Sequence, residues 1–163
     1  MDNEENPRSL LKKILPRVAK AALKGFIMFL LTYLLPVYMM ETIGTIMPPE
    51  ISFASLLSEY MTLIYAFSAI VVFFTVVREF FSGTILQHVF TISGALVMIM
   101  FFAYALNGGV FTSAFPIPGQ QQVIHIFADL RAFLAMLIFV NLLGFARGML
   151  EAIDFLSEKV EPT

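Results

Sequence analysis

Glu59, His125, Asp129 and Arg131 are the residues of this chain whose types and surroundings could do chemistry, because each stands in or beside a long apolar stretch. An ionised side chain at the centre of a membrane span costs about 2.5–3.5 kcal/mol even on insertion scales, so such residues are usually paired or functional. Gln122, His125 and Asp129 recur at i, i+3 and i+7. On a helix they share a face, and Arg131 lies about 200° away at ~100° per residue. The spacing therefore predicts Asp129 paired with His125 along one helix, and Arg131 paired with Glu59 across two. Both sites lie about 9–12 Å below the start of their spans at ~1.5 Å per residue. Two acids and one base leave a surplus negative charge, taken up by a protonated His125 or a neutral carboxyl. A structural ion pair that fixes helix pairing is the leading role of this cluster. A proton or ion relay through Glu59, His125 and Asp129 is the alternative. Two ligands at i, i+4 do not make a metal site without further donors, so neither metal nor cofactor is expected.

Other polar and small residues fit ordinary membrane packing. Asn141 is the deepest polar residue of the last span and is expected to hydrogen-bond across helices. Gly144-Phe145-Ala146-Arg147-Gly148 contains a G-x-x-x-G pattern, which lets two helices approach closely and makes Gly144 and Gly148 packing candidates. Arg147 and Glu151 are spaced for an i, i+4 pair. His88 is expected to be an interfacial hydrogen-bonding residue.

The elements that must position these residues are membrane spans. Of 163 residues, 59% are hydrophobic, and the mean hydropathy is +0.85. A soluble domain of this size cannot hide that much apolar surface. A hydrocarbon layer roughly 30 Å thick is crossed by about 20 helical residues. Apolar runs predict spans at 21–40, 53–77, 84–106 and 123–146. Pro36 lies near the far end of the first, and Asn107-Gly108-Gly109 is a turn signal after the third. The loop that reaches Gln122 is uncharged and partly apolar, so it is expected to lie against the membrane surface. Helical continuation of the last span leads into an amphipathic, acidic tail at 147–163. Short connections predict an up-down, antiparallel four-helix bundle forming a single all-α membrane domain.

Six of the ten basic residues fall between Arg8 and Lys24. Leu10, Leu11, Ile14, Leu15 and Val18 recur at helical spacing, predicting a basic amphipathic helix over 9–20 in the headgroup layer, kinked or restarted at Pro16. Lys12, Lys13, Arg17, Lys20 and Lys24 are its headgroup-contact candidates, and the lipid bilayer is the first expected partner. The basic asymmetry places both termini in the cytoplasm, with the plasma membrane as the expected location. The five tyrosines then fall in the outer halves of their spans.

The chain contains no cysteine, which removes thiol nucleophiles and Cys-ligated centres. No phosphate loop, protease serine motif or paired acidic motif is present, so no enzymatic activity is expected. Nothing points to nucleic acid. A non-catalytic membrane subunit or scaffold, alone as a homo-oligomer or within a membrane complex, is the leading expectation. A small oligomeric ion or proton channel or transporter is the alternative.

Overall fold

The computed structural model describes residues 7–46, 53–116 and 123–160. It is all-α in class, with one small hairpin. Four helical stretches are long and apolar enough to cross a membrane: Ile14–Thr45, Tyr60–Phe80, Ile85–Ala105 and Arg131–Glu158. Large apolar side chains such as Phe26, Leu31, Phe73, Met100, Phe139 and Leu143 lie on the outside, the surface a lipid-embedded helical protein presents.

The first stretch is a nearly continuous rod. It comprises α1 (Pro7–Phe29), a π-helical turn (Leu30–Leu34) and α2 (Leu35–Ile46). The helix expected over 9–20 is therefore the first part of the spanning helix itself, and it runs through Pro16 without a restart. The π turn has a local cause. Pro36 has no N–H, and its ring would press on the carbonyl four residues back, that of Thr32. An extra residue in the preceding turn relieves the crowding, and Leu35 N–H donates to Leu30 O in the wider pattern. The Thr32 carbonyl, left without its helical donor, accepts from Ser68 Oγ at 2.7 Å. In lipid an unpaired carbonyl has no water to turn to. The serine of the next helix supplies the missing bond, and it is only 4% exposed.

That next helix is α3 (Phe53–Phe80), followed by α4 (Ile85–Ala105). Between them Gly83 adopts φ +79°, which closes a turn too short for the helices to do anything but turn back on one another. Gly83 N–H donates to Gln87 Oε1 at 2.9 Å. Phe81 stacks on Phe90, and Phe67 meets Phe101 and Phe102 further along.

Helices pack in chain order, α1 on α3, α3 on α4, and α4 on α5 (Arg131–Val160). Three glycines sit at these contacts. A Cβ on Gly25 would overlap Val76 Cγ2, one on Gly94 would come within 3.1 Å of the Phe74 ring, and one on Gly148 within 3.2 Å of Thr91 and Ile92. Their partners place the three close approaches near one level of the helices. Towards the other end, Tyr33 stacks on Tyr65 with ring centroids 5.2 Å apart and hydroxyls 3.2 Å apart.

The segment before α5 departs from the expected span over 123–146. After α4 the chain turns through Asn107–Gly109 and forms an antiparallel hairpin of β1 (Val110–Pro116) and β2 (Val123–Asp129). The hairpin register pairs Val110 with Asp129 and Pro116 with Val123. Val123-Ile124-His125-Ile126-Phe127-Ala128-Asp129 is rich in β-branched and aromatic residues, which favour a strand. Its polar members, four apart, satisfy a period of two as well as they satisfy a helical face. Gly109, at φ +89°, packs so closely that a Cβ would come within 2.8 Å of the Arg131 backbone. Leu130 N–H donates to Gly109 O at 2.7 Å, joining hairpin to helix. The last helix therefore starts eight residues later than expected and runs on to Val160, absorbing most of the expected tail.

Candidate functional site: a charged cleft between the first and last helices

Of the acid–base cluster expected from the sequence, the described side chains are those of Asp129 and Arg131, and they stand at a chain turn rather than on one helix. Asp129 ends β2 and Arg131 opens α5, so neither lies within a span at the expected depth. Both are exposed. Asp129 Oδ1 accepts the Arg131 backbone N–H at 3.0 Å and lies 4.0 Å from Arg131 Nε. The carboxylate thus closes a short turn at the helix start and places negative charge at the positive end of the helix dipole. Rather than diverging on one helix, these two residues meet, because the chain changes conformation between them. His125 pairs with Ala114 across the hairpin. Residues four apart in a strand are about 13 Å apart, so the expected i, i+4 pairing of His125 with Asp129 is lost. The Glu59 and His125 side chains lie outside the described residues, and so does the expected Arg131–Glu59 pair.

At the opposite end of the molecule, charges do converge. Glu79, near the end of α3, is largely buried and receives two lysines of α1: Lys20 at 3.0 Å and Lys24 in a short direct bond. Two of the five headgroup candidates thus tie α1 to α3. Arg17 is exposed, and the Lys12 and Lys13 side chains lie outside the described residues. On the other flank, Glu151 of α5 accepts from Arg147 Nε at 2.7 Å and lies 3.8 Å from His88 Nδ1 of α4. His88 is packed against Phe155 and is nearly buried.

Between these two ties a cleft opens, with α1 and α5 as walls and α3 and α4 as floor. Its deeper part, half open to the outside, has a volume of about 230 Å³ and is lined largely by apolar side chains, among them Met28, Ile70, Phe74, Met98 and Val140. Its wider mouth, about 690 Å³, is lined by Lys24, Arg78, Glu79, Gln87, Arg147 and Glu151. Thr75, Arg78, Thr91 and Gly144 border both parts. Asn141, expected to bond across helices, donates instead to Leu137 O of its own helix at 2.8 Å and borders the deep part. A Cβ on Gly144 would meet nothing within 4 Å, whereas Gly148 is the close-approach point against α4. The two glycines of the G-x-x-x-G pattern therefore have different jobs.

Two groups in the cleft stand out by their bonding. Arg78 donates through Nε to Phe74 O at 3.2 Å, and among the described residues its terminal nitrogens meet no carboxylate. Thr75 is 9% exposed, yet its hydroxyl has no hydrogen-bond partner among the described residues. Thr32, Thr42 and Thr91 close their hydroxyls onto carbonyls four residues back. Compared with known protein families, curated proteins and solved structures, the chain matches none. The cleft must therefore be read from its own chemistry.

Sequence reasoning misses Thr75, Arg78 and Thr91, because Arg78 taken alone is simply the charged end of a span. The usable signal is a stripe, Val71, Phe74, Thr75 and Arg78 at i, i+3, i+4 and i+7, facing Thr91, Gly94, Ala95 and Met98 at the same spacing. Each stripe carries only one or two polar residues, so neither stands out until the helices are paired.

Proposed function

We propose that this chain is a non-catalytic membrane subunit or scaffold, with both termini on the cytoplasmic side of a plasma membrane. One observation carries the reading: Glu79, the largely buried acid at the Arg78 end, is spent on joining helices. Glu79 holds α1 to α3 through two lysines, while Glu151 pairs with Arg147 within α5. Asp129 is engaged in starting a helix. A conduction path needs polar groups along a whole span, whereas the deep part of the cleft is lined mainly by apolar residues. The membrane and its neighbours are then the partners, and a second copy of the chain is the simplest protein partner.

Ion and proton flux in proteoliposomes tests this reading. Wild type is expected to pass no more than protein-free vesicles, and cross-linking in native membranes to give a discrete adduct above the 18.3 kDa chain. Flux that disappears in Glu59→Gln or Asp129→Asn would overturn the scaffold reading in favour of a small conductor.

A further inference from the structure

The cleft has the profile of an amphiphile's binding site. We propose that it holds an anionic phospholipid from the leaflet at the Arg78 end. The phosphate would sit at the mouth against Arg78 and Thr75, and an acyl chain would run along the deeper apolar part. The inference stands on the geometry of the cleft, whether or not the chain conducts ions or assembles with others.

Charge argues for the headgroup. Lys24, Arg78 and Arg147 line the mouth with Glu79 and Glu151, and Lys20 adds a fourth cation on Glu79. Four cations against two carboxylates leave two positive charges. The carboxylates are taken by the two lysines and by Arg147, which leaves Arg78 as the cation without a counterion among the described residues. Arg78 is half-buried near the end of a span, where an uncompensated charge is costly. Its guanidinium has forked donors suited to two phosphate oxygens. The buried Thr75 hydroxyl, one turn away, adds a donor with no protein partner among the described residues. A buried hydroxyl left unpaired costs free energy that an external acceptor would recover.

Hydrophobicity argues for a lipid over a soluble anion. The deeper cleft offers Met28 and Met98, whose unbranched side chains adapt to a flexible chain. Its walls continue outward into apolar faces of α1 and α5, with Leu23, Ile27, Leu143 and Leu150 exposed. A free phosphate or nucleotide would leave this surface unused. An acyl chain uses it.

The test compares phosphatidylglycerol and phosphatidylcholine carrying identical acyl chains, added to the full-length protein in neutral detergent. Retained lipid is read by native mass spectrometry, and folding by circular dichroism. Wild type is expected to retain the anionic lipid about tenfold over the zwitterionic one: both carry the phosphate that Arg78 would hold, but only phosphatidylcholine brings a second cation, which the net positive mouth repels. Arg78→Gln is expected to bring that ratio to within about twofold. Gly144→Leu projects into open space in the cleft, so it should fold normally and yet lose the anionic lipid. Equal retention of both lipids by wild type would overturn the proposal. So would full retention by Gly144→Leu, which would reduce the effect to attraction at the surface. Loss confined to Gly144→Leu, with Arg78→Gln unchanged, would overturn headgroup recognition. Equal competition by inorganic phosphate would mark the site as one for a soluble anion and overturn the lipid assignment.

Discussion

The two ends of this molecule use charge in opposite ways. At the hairpin end, conformation is set by backbone: glycines at positive φ, a two-stranded ladder, and a carboxylate that closes the first turn of α5. Asp129 and Arg131 are exposed there and satisfied locally. At the cleft end, side chains hold the helices together, and Arg78 meets no carboxylate among the described residues. The difference teaches where to look for function. A charged residue that looks anomalous in a hydropathy profile can be an ordinary helix start, whereas an unremarkable arginine closing a span can be the cation that meets no carboxylate among the described residues.

Substitutions can break this comparison, beginning with the largest effect. Gly109→Val adds a β-branched side chain at φ +89° against the Arg131 backbone. It should cost about 3 kcal/mol or more through strain and overlap, seen as a large drop in thermal unfolding temperature in detergent. A small shift would show that the hairpin end is loosely built. Ser68→Ala removes the donor to Thr32 O and should cost about 1–2 kcal/mol. A double-mutant cycle sharpens this case. In a Pro36→Ala background the helix regains its own N–H, so Ser68→Ala should become nearly neutral. Additive losses would refute the claim that Ser68 replaces the proline's missing bond.

Smaller effects separate the ends more finely. Glu79→Gln removes the common partner of Lys20 and Lys24. Both lysines are well exposed, so solvent screening limits the loss to about 1 kcal/mol, and high salt should shrink the difference between variant and wild type. A salt-independent loss would mean that packing, rather than charge, joins α1 to α3 at that point. Asp129→Asn should be the mildest, within about 0.5 kcal/mol, because an asparagine closes the same turn. A loss of several kcal/mol would restore Asp129 as a buried ion-pair member.

Much of the architecture is legible in the sequence. The spans expected at 53–77 and 84–106 match α3 and α4 closely, because about 20 consecutive apolar residues are what a helix needs to cross a hydrocarbon layer. The Arg147–Glu151 pair follows from spacing alone. Val123–Asp129 is harder, because a short apolar run with polar residues four apart fits helix and strand alike, and the strand's partner lies across a loop. The π turn is half legible: Pro36 announces a disturbed bond, but nothing local names Ser68 as the donor that repairs it. The cleft is hidden for a related reason. Arg78, Thr75, Thr91 and Asn141 are single polar residues on three helices, and only packing brings them to one space.

That Asp129 and Arg131 form the turn that starts α5, rather than standing inside a span, is the central claim, since it moves the candidate site to the other end of the molecule. The chain has no native cysteine, so single cysteines report without background. Cysteines at positions 129, 131 and 140 would be exposed to a membrane-impermeant maleimide applied to both faces of a bilayer. Positions 129 and 131 should label rapidly and position 140 should resist. Protection of all three would contradict the account and return the charged pair to the interior of a span.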